Sequence, residues 1–182
     1  MAGRRKTKGA RRGRRGLSHV EGFPGAGFRS RMVDVGAKPV TARSAIARAR
    51  LRFPARTLAK VLESGGPKGP VTEIARAAGI LAAKRTAELI PMCHPLGLDH
   101  VEILFEPLLE RGRGSALEIR CRAAHRGRTG IEMEALVGAA IAALTVYDMV
   151  KALDPGITIE TVELLEKRGG RSGTWKRGRD AR

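Results

Sequence analysis

The 182-residue sequence has few aromatic residues, two cysteines and no long hydrophobic run. Aromatic side chains make up 3% of it while 42% of the residues are hydrophobic, so a core must consist mainly of Ala, Leu, Ile and Val. Two cysteines cannot form a four-cysteine zinc site and do not indicate a disulfide framework. No apolar run approaches the ~18 residues of a membrane span, and no apolar segment follows the basic N-terminus as in a secretory signal. We therefore expect a soluble, cytoplasmic protein with one folded domain.

The net charge of +17 is concentrated at the two ends of the chain. Ten of the 35 Lys and Arg residues lie in 1–31 and seven in 167–182, which leaves the part between them nearly neutral. A Gly/Arg-rich stretch such as "GRRKTKGARRGRRG" cannot bury enough apolar surface to fold. We expect a disordered basic tail over 1–31 and a second basic tail over 171–182, able to touch RNA or other polyanions through phosphates. A solvated tail without a partner explains the charge equally well, so the tails do not define the function.

Between the tails, hydrophobic periodicity predicts alternating strands and helices. In "SAIARARLRF" the apolar residues from Ala45 to Phe53 fall on one face of a strand, and three arginines fall on the other. The predicted strands are 44–53, 99–108, 115–124 and 157–167, and the predicted helices are 55–66, 71–90 and 130–153. One extra helix aside, this order predicts an α+β, ferredoxin-like sandwich, with an antiparallel sheet and helices packed on one face.

Two of these elements carry more detailed expectations. In the helix over 71–90, Thr72 is a candidate N-cap and Pro91 ends the helix. Its apolar residues at helical spacing are Ile74, Ala78, Leu81 and Ala82. Cys121 falls on the apolar face of the strand over 115–124, which indicates a small core residue rather than a reactive thiol.

The stretch "ELIPMCHPL" sets Cys93 beside His94, between Pro91 and Pro95. Adjacent side chains point to opposite faces of a strand and do not face each other on a helix, so His94 is a poor base for its neighbour. A metal site would need more ligands, and the sequence has no HxH, HExxH or CxxC spacing. The prolines stiffen the loop, which suits His94 to hydrogen bonding or proton transfer.

The helix over 130–153 has charges only at its ends. Glu132 and Glu134 in its first turn are explained by the helix dipole alone. Asp148 and Lys151, one turn apart at the other end, form either a surface salt bridge or an acid/base pair. The uncharged run between them, "ALVGAAIAALTVY", is apolar on all sides, which indicates burial on several sides, another subunit included.

Two glycine-rich stretches carry possible cation or anion sites. Lys68 in "GGPKGP" is either an exposed loop lysine or a cation presented on a positioned loop. "GGRSGT" over 169–174 resembles a backbone anion nest but lacks the spacing of a P-loop.

Five stretches together resemble the MoaC family, the cyclic pyranopterin monophosphate synthases of molybdenum cofactor biosynthesis. They are "MVDVGAK" (32–38), "GILAAKRTAELIPMCHPL" (79–96), "GRTGIEMEAL" (127–136), "ALTVYDMVKA" (143–152) and "LLEKRGGRSG" (164–173). They occur in the family's order, and the resemblance implies a catalytic domain over 32–170.

The resemblance implies a lyase that converts 3′,8-cyclo-7,8-dihydroguanosine 5′-triphosphate to cyclic pyranopterin monophosphate and releases pyrophosphate. It implies a substrate supplied by the radical-SAM partner MoaA, and homohexamers, trimers of dimers, with active sites at subunit interfaces. It implies no required cofactor and no metal site. Mg²⁺ accompanying the triphosphate is compatible with the sequence but not indicated by it.

By matching motif, the resemblance implies catalytic roles for Lys68, Asp148 and Lys151. The lysines resemble acid/base groups, and Asp148 would orient or deprotonate Lys151. The implied substrate-binding residues are Met92, Cys93, His94, Glu132, Met133 and Glu134, with the cationic positions Arg43 and Lys84 and further contributions from Arg126, Arg128 and Thr129. Arg171 stands where the family commonly has lysine, and its role stays open.

Two hypotheses from other classes compete with this one. An RNA-binding or ribosome-associated protein would explain the basic tails, but the nearly neutral body argues against it. A cysteine-dependent hydrolase would use Cys93, but its adjacency to His94 argues against a nucleophile–base pair.

Overall fold

The computed structural model describes residues 20–23, 27–54, 57–110 and 114–178. The chain consists of two compact units, 1–33 and 34–182. The strands are β1 (Val20–Phe23), β2 (Gly27–Ser30), β3 (Thr41–Phe53), β4 (His100–Glu110), β5 (Gly114–Gly127), β6 (Thr158–Arg168) and β7 (Trp175–Lys176). The helices are α1 (Thr57–Ser64), α2 (Val71–Lys84), α3 (Thr86–Leu89) and α4 (Glu132–Val150).

The first unit contains an antiparallel hairpin, in which Val20 of β1 lies opposite Ser30 of β2. This hairpin falls in the stretch predicted to be a disordered tail, and the sequence analysis did not predict it. Residues 1–19 and 179–182, which hold most of the basic tails, lie outside the described residues. The disorder of the N-terminal tail and the contacts of both tails with polyanions therefore stay predictions.

The second unit is built on a five-stranded antiparallel sheet with the order β4-β5-β3-β6-β7. β3 pairs with β5 on one side and with β6 on the other, while β4 and β5 form a hairpin. Helix α4 contacts four of these strands and α2 packs beside it. The predicted α+β ferredoxin-like sandwich is confirmed, with β7 as an additional short edge strand.

The core lies between α4 and the apolar face of β3. As the alternation predicts, the side chains from Ala45 to Phe53 that face the helices are buried, and so is Cys121 on β5. Burial raises the pKa of Cys121 to about 12, which keeps this thiol protonated. By length and composition α4 could span a membrane, but 56% of its apolar stretch is buried inside this unit, as expected of a core helix.

The predicted helix over 71–90 is interrupted at Arg85, whose backbone leaves the helical region (φ −108°, ψ 16°). Beyond it, the buried Thr86 donates its hydroxyl hydrogen to the carbonyl oxygens of Ala82 and Ala83, at 3.3 and 3.0 Å. A hydroxyl that bonds back to the preceding turn competes with the helical pattern and bends helices. The chain therefore forms α2 and a separate turn, α3, which ends before Pro91.

The predicted cap of α2 and two positions of its predicted face were wrong, whereas Ala82 is buried as predicted. Ile74 and Leu81 are 48% and 50% exposed, and the cap position is held by Pro70 without a side-chain bond rather than by Thr72. The buried side is instead formed by small residues and one valine: Val71, Ala75, Gly79, Ala82 and Ala83. Small residues are required because α2 lies very close to α4, and a Cβ added to Gly79 would sit 2.8 Å from the Gly138 carbonyl oxygen.

Strand β6 contains two β-bulges that interrupt its alternation, with Glu160 and Leu165 as the extra residues. Regular alternation from Ile159 would turn Glu163 toward the helices. The bulges instead place Glu160, Glu163 and Glu166 on the outer face of the sheet, although they are three residues apart. They also leave Lys167 on the helix side, opposite Ala45.

The outer face of the sheet is held together by ion pairs between arginines and glutamates. Arg48 Nε lies 2.6 Å from Glu163 Oε1, and Arg52 Nε lies 2.7 Å from Glu160 Oε1. Glu118 is buried beneath Arg48 and Arg120, which both donate to its carboxylate. The arginines of the predicted period-two pattern on β3 thus have structural partners on both neighbouring strands.

Substituting Gly79 by alanine should destabilise the fold, because the added methyl group would push α2 away from the backbone of α4. We expect a loss of about 1–3 kcal/mol in the free energy of unfolding, measured by chemical denaturation. Gly97→Ala is the matched control, since a Cβ there meets nothing within 4 Å. Equal stability of Gly79→Ala and Gly97→Ala would contradict the close helix contact.

Candidate active site

The three predicted catalytic residues meet at the C-terminal end of α4. The Nζ atom of Lys68 lies 2.6 Å from Asp148 Oδ2, and the Nζ atom of Lys151 lies 2.9 Å from Asp148 Oδ1. One carboxylate therefore accepts from two ammonium groups, one on each oxygen. We call Lys68, Asp148 and Lys151 the lysine–aspartate trio.

The glycines around Lys68 build the turn that presents it. The backbone N–H groups of Gly66 and Gly69 each donate to the other's carbonyl oxygen at 3.0 Å, which closes a turn with Pro67 and Lys68 at its tip. Gly69 has a φ of +109°, which L side chains rarely adopt. A Cβ on Gly66 would lie 3.2 Å from the Met149 carbonyl oxygen. Glycine at this position lets the turn lie against the last turn of α4.

The charges of the trio stabilise one another. Hydrogen bonds from Lys68 and then from Lys151 lower the pKa of Asp148 to about 2. The same carboxylate raises the pKa of Lys151, first through the hydrogen bond and then through its charge. All three side chains are more than half exposed in the single chain. Because Asp148 favours the ammonium form of Lys151, the geometry favours an orienting role over deprotonation of this lysine.

A second group of predicted site residues lies at the N-terminal end of α4. Glu132 and Glu134 occupy its first turn, and Lys167 Nζ reaches Glu132 Oε1 at 3.0 Å. The Cys93 N–H donates to the Ile90 carbonyl oxygen at 3.0 Å, closing the turn that also carries Met92. We call Cys93, His94, Glu132, Glu134 and Lys167 the N-terminal cluster.

Burial determines the protonation chemistry of this cluster. Glu134 is 4% exposed, and burial raises its pKa, with the charge of Glu132 adding to the rise and a backbone hydrogen bond opposing it. Burial also raises the pKa of Cys93, and the Glu134 carboxylate adds to this effect. The thiolate is the nucleophilic form of cysteine. Cys93 is therefore less ionised than a free cysteine, which argues against the hydrolase hypothesis.

The predicted cationic positions surround the same end of α4. Lys84 ends α2, which runs antiparallel to α4, and is exposed, as are Arg126 and Arg128. Arg43 is different, because its Nε donates to the Gly127 carbonyl oxygen at 3.0 Å and its Nη2 to that of Arg128 at 3.2 Å.

Lys167 is the member of the cluster that the sequence analysis missed. It lies in "LLEKRGG", within a stretch that carried the resemblance. A lysine at the predicted end of a strand, next to a basic tail, has no pattern that separates it from its neighbours. Its ion pair with Glu132 became recognisable only from the register of β6 on β3.

The structure does not bring the two groups together within one chain. Asp148 lies sixteen residues after Glu132 on the same helix, which corresponds to about 24 Å at ~1.5 Å per residue. The trio and the N-terminal cluster therefore lie at opposite ends of one helix. Within the described ranges, no group of three or more His, Cys, Asp or Glu side chains is arranged to hold a metal ion.

Comparison with known proteins finds similarity to one family over most of the chain. The sequence pattern of the MoaC family matches residues 32–170, a range that contains every residue of the trio and of the N-terminal cluster. The chain is 52% identical to the cyclic pyranopterin monophosphate synthase of Chloroflexus aggregans over 165 residues, covering 91% of this chain and 96% of that protein. It is 54% identical to the synthase of Thermomicrobium roseum over 151 residues, covering 83% and 89%. Identity to the synthase of Novosphingobium aromaticivorans is 49% over 160 residues, covering 88% and 96%.

Replacing Asp148 by asparagine should lower the pKa of Lys151, because the carboxylate is the main cause of its raised pKa. The pKa of Asp148 itself is about 2, so the carboxylate is charged at every pH at which Lys151 titrates. Side-chain NMR titration of Lys151 measures the change. Asp154→Asn is the control, since Asp154 accepts from Thr57 and Gly156. An unchanged Lys151 pKa in Asp148→Asn would rule out the proposed coupling.

Proposed function

This chain belongs to the MoaC family, and we propose on that premise that it is a cyclic pyranopterin monophosphate synthase. The proposed substrate is 3′,8-cyclo-7,8-dihydroguanosine 5′-triphosphate, and the products are cyclic pyranopterin monophosphate and pyrophosphate, which makes the enzyme a lyase. The observation that carries the proposal is the lysine–aspartate trio, which lies inside the matched range.

The trio suits the proton transfers that this conversion requires. Opening the guanine-derived ring and closing the pterin require protons to be delivered and removed at several atoms. Lys68 and Lys151 are the proposed acid/base groups, and Asp148 holds both ammonium groups toward the same point. Because its pKa is raised, Lys151 enters the reaction as a proton donor.

The N-terminal cluster suits recognition of the substrate. Forming the cyclic phosphate expels pyrophosphate, so the site must stabilise negative charge on phosphate oxygens rather than supply a covalent nucleophile. Lys84, Arg128 and Lys167 are the proposed cations for this role, alongside Arg43. Glu134, Cys93 and His94, with Thr129 and the two methionines Met92 and Met133, are the proposed contacts to the ring system.

We propose that a second copy of the chain completes each active site. The ~24 Å between the trio and the N-terminal cluster supports this, because two copies can place unlike ends of α4 side by side. The outer side of the helix layer also supports it. The large apolar side chains of Leu144 on α4 and Leu81 on α2 are about half exposed there, and a second copy would cover them. The proposed assembly is a homohexamer, a trimer of dimers with the active sites at subunit interfaces.

The remaining proposals concern the location of the enzyme, its cofactor requirement and its partners. We propose a cytoplasmic enzyme that needs no resident cofactor and receives its substrate from the radical-SAM partner MoaA. Mg²⁺ accompanying the triphosphate and nonspecific contacts of the basic tails with polyanions are compatible with this function. Neither is required by the roles assigned to the trio.

Supplying the purified chain with the cyclised GTP derivative should yield the pterin product and pyrophosphate, detected by chromatography and a coupled phosphate assay. Lys68→Ala, Lys151→Ala and Asp148→Asn should each lower kcat by about a hundredfold or more, the usual contribution of acid/base groups. Lys60→Ala, at an exposed lysine on α1 that is not one of the proposed site residues, is the matched control.

Two outcomes would contradict this assignment. Absence of turnover by the wild type contradicts the function, and wild-type turnover by the three trio variants contradicts their roles. Cys93→Ser should keep measurable turnover. Complete loss in that variant, with the fold intact, would favour a cysteine nucleophile instead.

Mixing two inactive variants should restore activity if the site spans two copies. Lys68→Ala damages the trio, and Glu134→Gln damages the N-terminal cluster. In a mixed dimer one of the two sites combines both intact ends, so an equal mixture refolded together should recover about a quarter of wild-type activity under two-fold symmetry. The variants assayed separately are the controls, and no recovery on mixing would contradict a shared site.

A further inference from the structure

Three successive residues where β5 leads into α4 have carbonyl oxygens that accept hydrogen bonds from side chains of the sheet. Arg43 donates from Nε to Gly127 at 3.0 Å and from Nη2 to Arg128 at 3.2 Å. His125 Nε2 lies 3.0 Å from the carbonyl oxygen of Thr129. We call residues 127–129 the carbonyl loop.

The donors come from one position in the sheet. Arg43 on β3 and His125 on β5 lie directly opposite each other in the strand pair. His125 is 3% exposed, and a carbonyl oxygen only accepts, so the hydrogen of this bond is on Nε2 of the ring. One cross-strand pair therefore supplies all three hydrogen bonds to the loop.

The start of α4 has no side-chain cap of its own, although Lys167 pairs with Glu132 in its first turn. Ile131 occupies the N-cap position of α4 and makes no side-chain cap bond. The backbone is also tightly packed, because a side chain at Gly127 would overlap the His125 ring. On the other side, a Cβ at Gly170 would lie 2.5 Å from Arg43 Nη1. These hydrogen bonds to the carbonyl oxygens thus hold the chain immediately before the first turn of α4.

That first turn carries functional side chains. Thr129 lies in the loop itself, and Glu132 and Glu134 follow within five residues. A shift of the loop would displace all three relative to the backbone at Cys93, which bonds to Ile90, and at Lys167, which lies on β6. Displacements of about 1 Å at an active site can cost a hundredfold in rate.

We propose that His125 is a positioning residue for the reaction, which together with Arg43 fixes the carbonyl loop and so aligns Thr129, Glu132 and Glu134 with the substrate. This rests on the proposed function. His125 itself does not touch the substrate in this proposal, because its ring is buried and its hydrogen bond points to the backbone.

Two substitutions of similar polarity test the role of the ring nitrogen. The amide nitrogen of glutamine reaches about as far as Nε2 of histidine, whereas that of asparagine stops near Nδ1. We expect His125→Asn to lower kcat about ten- to a hundredfold with a smaller change in KM, and His125→Gln to recover most of the loss. His100→Asn and His100→Gln, at an exposed histidine that begins β4, are the matched controls.

A double-mutant cycle with Arg43→Ala then tests whether both residues act through the loop. Shared action predicts that His125→Asn costs much less in the Arg43→Ala background than in the wild type. The positioning role is overturned if His125→Asn keeps wild-type kcat, if glutamine and asparagine are equally impaired, or if the two effects simply multiply. Lack of turnover by the wild type under the same assay would instead contradict the proposed function.

Discussion

The close contact between α2 and α4 is the constraint on which the site depends. Gly79 and Gly138 let the two helix backbones approach closely while running in opposite directions. The loop before α2 therefore lies at the C-terminal end of α4, where Lys68 meets Asp148. The segment after α2 reaches the N-terminal end, where Cys93 comes under the influence of Glu134. A wider separation of the helices would displace both groups together.

The two ends of α4 have different electrostatic characters that complement each other. At one end a single exposed carboxylate stabilises two ammonium groups and becomes strongly acidic. At the other end burial raises the pKa of the Glu134 carboxyl group and of the neighbouring Cys93 thiol, and the Glu134 charge adds to the rise at Cys93. In the proposed function, one end donates and accepts protons, and the other recognises the ring system and its phosphates. The separation of these tasks along one rigid helix is the physical reason to expect cooperation between copies.

The parts of this architecture that follow a simple period could be predicted from the sequence. Alternation identified β3 and the burial of Cys121, and the uncharged run identified α4 as the core helix. The buried face of α2 could not be predicted in this way. It consists of small residues because the α4 backbone lies close to it, and not because these residues are the most hydrophobic ones. The interruption at Arg85 depends on the bonds of a single buried hydroxyl, which no periodic pattern reveals.

For the candidate site, motif resemblance predicted a set of individual residues but not their arrangement. It placed Asp148 and Glu134 in one functional set, whereas their separation along α4 becomes evident only once the helix is seen to be continuous. Lys167 and His125 were missed because a strand-end lysine and a lone histidine are individually unremarkable. Both are recognised by what lies across the sheet from them.

The bulges of β6 also affect how this protein can vary in length. β6 uses eleven residues where the paired part of β3 uses nine. Because each bulge adds one residue without turning the following side chains to the other face, the strand can gain or lose a residue at these points and still direct Lys167 toward α4. Deletion at Glu160 would remove the carboxylate shared by Arg50 and Arg52, while deletion at Leu165 would leave those ion pairs intact. The two bulges thus differ in what a length change would disturb, since the one at Glu160 supplies ion pairs to the outer face and the one at Leu165 accepts the Arg177 N–H with its carbonyl oxygen.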